Sequence, residues 1–116
     1  MNQEEQIDAL DASSRDIKRL AEMGHALERG ATVSEEAIQR ARVRAAIALC
    51  NVSRTLDIIY ADVETKRYPR REAWPALVLS GFISARELSA IAESLDADVR
   101  AMRNMAATDP TLNTPF

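Results

Sequence analysis

The feature of this sequence that most constrains its fold is residues 35–66, a run of 32 residues with neither glycine nor proline. Alanine, the strongest helix former, is frequent in the run. A seam of apolar residues recurs mostly at steps of three or four, with Arg42 occupying one position: Ile38, Ala45, Leu49, Val52, Leu56, Ile59 and Val63. The run predicts one helix about 48 Å long, with Asn51-Val52-Ser53 as the place where it would break.

A second long helix is predicted before this run, over residues 4–29. Apolar residues with helical spacing mark its buried stripe: Ile7, Leu10, Ile17, Leu20 and Leu27, with Ser14 and Gly24 filling two further positions. Gly30 suits a left-handed conformation after the helix, and Ser34 suits the N-cap of the next one. The connection is short, so we expect the two helices to pack antiparallel.

Two shorter elements are predicted after residue 66. Pro69 fixes a turn, and Pro75 is tolerated only in the first turn of a helix, so a short helix over residues 71–80 is expected to start near Trp74. Ser84 and Glu87 have the spacing of a capping box and predict a final helix up to about residue 106. The fold class is therefore all-α and bundle-like.

The length of 116 residues fits a single domain. We expect one helical domain over residues 1–107 and a flexible C-terminal tail over residues 108–116. The sequence has no apolar run long enough to cross a membrane, and its polar, acidic start is unlike a signal peptide, so a cytoplasmic location is expected.

The length of the second helix argues for self-association. It is longer than a compact domain of this size is wide, and Val43, Ile47, Cys50 and Ile58 lie outside its apolar seam. A soluble monomer rarely exposes such a flank. We therefore expect a homodimer built around the two long helices, or else a break near Asn51.

Most catalytic and metal-binding chemistry finds little support in this sequence. Glu22 and His25 have the spacing of a carboxylate-bridged metal site, but the chain has one histidine, so a helix-surface histidine is the simpler interpretation. Cys50 stands among apolar residues and is predicted to be a buried small hydrophobe. We expect no cofactor and no enzymatic activity.

The candidate binding residues lie around a local basic stretch. Lys66 to Arg71 is basic within a chain whose formal net charge is −3, and aromatic residues flank it. Arginine, tyrosine and tryptophan dominate protein interface hot spots. The candidate partner contacts are Arg67, Tyr68, Arg70, Arg71 and Trp74. The alternating arginines Arg40, Arg42 and Arg44 are expected to point to different sides of one helix and are less informative.

Elimination favours a non-catalytic protein-interaction module, and more narrowly a regulatory inhibitor or antiactivator that sequesters another protein. The alternative is a DNA-binding accessory protein in which residues 72–100 form a helix-turn-helix-like unit and Lys66, Arg67, Arg70, Arg71 and Arg86 contact phosphates. The acidic net charge argues against nucleic acid, since neutralised phosphates supply most non-specific affinity.

Overall fold

The structure is a computed structural model, which describes residues 2–59 and 71–108. This part of the chain is helical and contains no β-strand. The α-helices are α1 (Gln3–Glu28), α2 (Glu35–Ile59), α3 (Trp74–Ser80) and α4 (Ala85–Thr108), and a 3-10 turn (Arg71–Ala73) leads into α3. The all-α, bundle-like architecture is confirmed.

α1 is the central helix, because it packs against both α2 and α4. It is antiparallel to α4, since Asp8 lies near Arg103 and His25 lies near Ser89. α3 packs on α2. The buried apolar side chains form one core: Ile7, Leu10, Ile17, Leu20, Ala21, Ala41, Ala45, Ala46, Ala48, Leu49, Val52, Leu56, Trp74, Val78, Leu88, Ala92, Leu95 and Val99.

The start of α1 follows from its first residues. The Asn2 side chain accepts a hydrogen bond from the backbone N–H of Glu5 at 2.8 Å, which satisfies one of the free donors of the first turn. After the helix, Gly30 has φ +86°, the left-handed conformation that its position predicted. The predicted stripe of α1 is buried from Ile7 to Leu20, whereas its last member, Leu27, is exposed.

α2 is continuous through residues 51–53, so the expected weak segment does not break the helix. It begins at Glu35, and the Ser34 hydroxyl accepts a hydrogen bond from the backbone N–H of Ala37 at 3.1 Å, as an N-cap should. The predicted extension over residues 60–66 lies outside the described residues. Residues 109–116 of the predicted tail also lie outside the described residues, and its first residue, Thr108, belongs to α4.

The predicted boundaries of α3 and the predicted start of α4 are confirmed, whereas α4 is helical through Thr108, two residues beyond its predicted end. α3 starts at Trp74 with Pro75 in its first turn, and Gly81 follows the helix with φ +77°. The Ser84 hydroxyl accepts a hydrogen bond from the backbone N–H of Glu87 at 3.1 Å and lies 3.3 Å from its carboxylate. These contacts start α4 at Ala85.

One prediction about burial was wrong. Cys50 is exposed, although its apolar neighbours in the sequence indicated a buried position. Leu49 and Val52 do face the core, and Cys50 points away from it on the outer side of α2. No helix in residues 2–59 and 71–108 combines the length and apolar character needed to cross a membrane.

Candidate protein-binding surface

The structure describes only two of the five residues that the sequence predicts as partner contacts. Arg67, Tyr68 and Arg70 lie outside the described part of the chain. Arg71 forms an ion pair with Asp57 of α2, and its side chain is 21% exposed. Trp74 is only 7% exposed and belongs to the core. Trp74 therefore has little surface left to offer a partner.

An open groove runs between α1 and α2. One half of it is a depression of about 410 Å³. It is lined mostly by small or apolar side chains: Ala9, Ala12, Ser13, Asp16, Ile47, Ala48, Asn51, Arg54, Thr55 and Ile58. Ile47 is 56% exposed and Ile58 is 54% exposed, so both present apolar surface at this depression.

The groove continues toward the other end of the helix pair. A second depression, of about 250 Å³, is lined by Arg19 and Met23 of α1 and by Ala37, Arg40, Ala41 and Arg44 of α2. The lining residues of the two depressions follow one another along each helix at steps of three or four, which is one helix face. On α1 the groove spans residues 9–23, or about 21 Å. We call it the α1–α2 groove.

Three exposed arginines surround the second depression: Arg19, Arg40 and Arg44, named here the arginine cluster. Within residues 2–59 and 71–108, none of them forms an ion pair with a carboxylate. Glu22 and Glu36 lie one helical turn from the cluster in sequence and are exposed, yet neither pairs with it. The cluster thus has no ion-pair partner within the described residues.

The arginine cluster was not predicted from the sequence, because Arg40, Arg42 and Arg44 alternate along α2 and were expected to point to different sides. Arg40 and Arg44 are four residues apart and line the same depression, whereas Arg42 lies elsewhere, beside Gly81. The spacing of four was the signal that could have found the pair. Arg19 joins them only through the packing of α1 on α2.

Another apolar feature lies at the turn between α3 and α4. Phe82 is 80% exposed, and Leu79 is 48% exposed. Gly81 and Ile83, on either side of Phe82, line a shallow depression of about 90 Å³ together with Leu27. This depression is smaller than either half of the α1–α2 groove, and it has a single charged lining residue, Arg42.

A polar cluster joins α1 to α4 on the side away from the groove. The Ser14 hydroxyl donates to Oδ1 of Asp96 at 2.7 Å, and Lys18 forms an ion pair with the same carboxylate. Burial alone would raise the pKa of Asp96, but the hydrogen bonds from Lys18 and Ser14 and the nearby positive charges outweigh burial and lower it. Asp96 is therefore a charged link between the two helices.

Within the described residues, Glu22 and His25, the candidate metal-binding pair, are not joined by further potential ligands. His25 Nε2 lies 3.1 Å from the Ser89 hydroxyl, and Nδ1 lies 3.5 Å from Glu28, while Glu22 is exposed. Over residues 2–59 and 71–108, no three histidine, cysteine, aspartate or glutamate side chains are grouped as metal ligands would be. His25 connects α1 to α4.

Comparison with known proteins gave no relative: no family model, no curated protein and no solved structure matches this chain.

Proposed function

We propose that this chain is a non-catalytic protein-interaction module whose α1–α2 groove receives a helix of a partner protein. The observation that carries the proposal is the apolar half of the groove. Ile47 and Ile58 stand more than half exposed beside a floor of small side chains from α1. Exposed, concave apolar surface on rigid helices is the usual receptor in helix-in-groove recognition.

The narrower proposal is a regulatory inhibitor or antiactivator that acts by occupying its partner. It is supported by the exposed apolar surface of the groove, which a sequestered partner could cover. A cytoplasmic location stays a prediction from the sequence, and so does a contribution of Arg67, Tyr68 and Arg70 to partner binding.

We also propose that the free chain forms a homodimer through the same groove. Without a partner, the apolar half of the groove would be left open to water, and a second copy can cover it. An antiparallel arrangement keeps the two arginine clusters apart, whereas a parallel one would bring like charges together.

The experiment that tests the function is affinity capture from the native lysate with nuclease treatment, followed by mass spectrometry. Ile47→Ser removes exposed apolar surface from the groove, and Leu79→Ser removes a similar amount from an exposed helix position outside it. We expect a stoichiometric, nuclease-resistant protein that the wild type and Leu79→Ser capture and Ile47→Ser loses. Equal capture by both variants would remove the groove from the proposal.

The DNA-binding alternative makes a different prediction. α4 carries Glu87 and Glu93 beside Arg86 on its exposed surface, which gives a mixed charge rather than a basic one. If nucleic acid is the partner, the captured material will be sensitive to nuclease and its affinity will fall steeply with salt.

A further inference from the structure

The arginine cluster occupies one end of the α1–α2 groove, and nothing in the proposed function yet explains it. Three guanidinium groups surround a depression whose remaining lining, Met23, Ala37 and Ala41, is apolar. Arg40 and Arg44 are four residues apart on one helix, a spacing at which like charges repel. Three like charges around one depression, with no ion-pair partner among the described residues, suit a ligand of opposite charge.

We infer that the arginine cluster binds the acidic end of an amphipathic helix from a partner protein. This inference rests on the proposed function, because it names the chemistry of the helix that the groove receives. The bound helix would place apolar side chains on Ile47 and Ile58, and aspartate or glutamate side chains at its other end, opposite Arg19, Arg40 and Arg44. Arg40 and Ile58 are about 27 Å apart along α2, a distance that a helix of about 18 residues spans.

The chemistry of the cluster favours carboxylates on a protein over a phosphate. Guanidinium groups bind both anions, often in a bidentate manner. The floor of this depression, however, is made of Met23, Ala37 and Ala41, which would contact an apolar side chain and would give a phosphate no hydrogen bond. The lining also contains no aromatic ring on which a nucleobase could stack.

The overall charge supports the same choice. The chain has 15 basic and 18 acidic side chains, so its net charge of −3 repels a polyanion at long range. A short acidic segment that contacts only the cluster avoids most of that repulsion. Asp16 and Arg54 both line the apolar half of the groove, whereas the other end is lined by three arginines and by no acidic side chain.

The inference can be tested by selecting from a displayed library of random helical peptides of about 20 residues on the full chain. Selected peptides are expected to carry apolar residues at helical spacing and an excess of aspartate and glutamate at one end. The double variant Arg40→Gln/Arg44→Gln should bind them about tenfold more weakly, while Arg86→Gln, which removes an exposed arginine of α4, should bind them as the wild type does.

Charge reversal gives the sharper arm of the test. Selection on Arg40→Glu/Arg44→Glu should return peptides whose charged end is basic. Peptides that depend on Ile47 but show no charge preference would overturn the inference and leave the groove as a binding site. Failure to select any peptide that depends on Ile47 would overturn both. Cluster-dependent binding of a DNA or RNA oligonucleotide in place of acidic peptides would also overturn the inference.

Discussion

Gly24 lies where α1 crosses the start of α4, and a Cβ added to it would be 2.7 Å from the Cβ of Ala85. Alanine would gain about 1 kcal/mol in helix propensity, but overpacking such a contact costs about 1–3 kcal/mol. We expect Gly24→Ala to lower the free energy of unfolding by about 1 kcal/mol, measured by urea denaturation. Adding Ala85→Gly should recover most of the loss by vacating the contested space, and an increase in stability for the single variant would contradict the close crossing.

Asp96 predicts how stability depends on pH. Its pKa in the folded chain is lowered below the ordinary 3.8, so the stabilisation is complete above that value and is lost as the pH falls through the folded-state pKa. We expect Asp96→Asn to lower the free energy of unfolding by about 1–2 kcal/mol at pH 7, because it weakens charged hydrogen bonds. The loss should shrink well below pH 3.8, where the wild-type carboxylate is protonated too.

Glu93→Gln is a suitable control for this measurement, because Glu93 is exposed on the same helix and no ion pair to it is found within the described residues. Its stability profile should follow that of the wild type. A loss for Asp96→Asn that is equally large at neutral and acidic pH would mean that the change acts through packing and not through charge.

Helix α4 depends on its first turn, which the sequence specifies locally. We expect Ser84→Ala to cost about 1 kcal/mol of stability, since it leaves the backbone N–H of Glu87 without its acceptor. Ser94→Ala is the matched control, because Ser94 is exposed inside the same helix and alanine is the better helix former there. If urea denaturation gave both variants equal stability, the cap would contribute nothing.

The helix pair α1–α2 gives a prediction about the arginine cluster in the free chain. Removing one of two like charges at a spacing of four residues should relieve a repulsion of about 0.2–0.5 kcal/mol. We therefore expect Arg44→Gln to unfold at a slightly higher urea concentration than the wild type in low salt, with the difference vanishing at about 1 M salt. A loss of stability at low salt would mean that Arg44 makes a stabilising contact in the free chain.

The elements could be predicted from sequence because their signals are local. Ser84 with Glu87, the glycines at 30 and 81, and Pro75 each act within one turn of a helix end. Burial across a helix was harder to predict: Cys50 has apolar neighbours, but its angle around α2 places it outside the core. Predicting the arginine cluster required knowledge of how α1 packs on α2. That packing brings Arg19 to Arg40 and Arg44, and neither helix alone encodes it.

At the scale of the whole molecule, Trp74 illustrates the same limit. Its residue type and its basic neighbours indicated an interface, whereas the fold places it in the core beside α2. Residue type and sequence neighbours do not distinguish a buried tryptophan from one that contacts a partner, because both positions favour a large apolar ring. Whether Trp74 is buried or exposed depends on which face of α3 packs against α2, and therefore on how the two helices dock.

The elongated shape of the chain, 53 × 24 × 20 Å, leaves the outer side of α2 without cover from the described helices along much of its length. We expect sedimentation equilibrium at tens of micromolar to give the wild type twice its mass of 12.8 kDa. Ile47→Ser should shift the equilibrium toward monomer, and Leu79→Ser should not, because only Ile47 lines the groove. A wild type that stays monomeric at every concentration would contradict the homodimer.

Salt distinguishes the two possible dimers. A parallel pair would bring the arginine clusters together, so screening would strengthen it, whereas an antiparallel pair keeps them apart and should change little between about 0.1 and 1 M salt.

If the second copy and a partner helix occupy the same groove, an acidic groove-binding peptide must also convert dimer to monomer as it binds. Its apparent affinity should then fall as the protein concentration rises, because the peptide has to displace the second copy. An affinity independent of protein concentration would place the dimer contact elsewhere on the molecule.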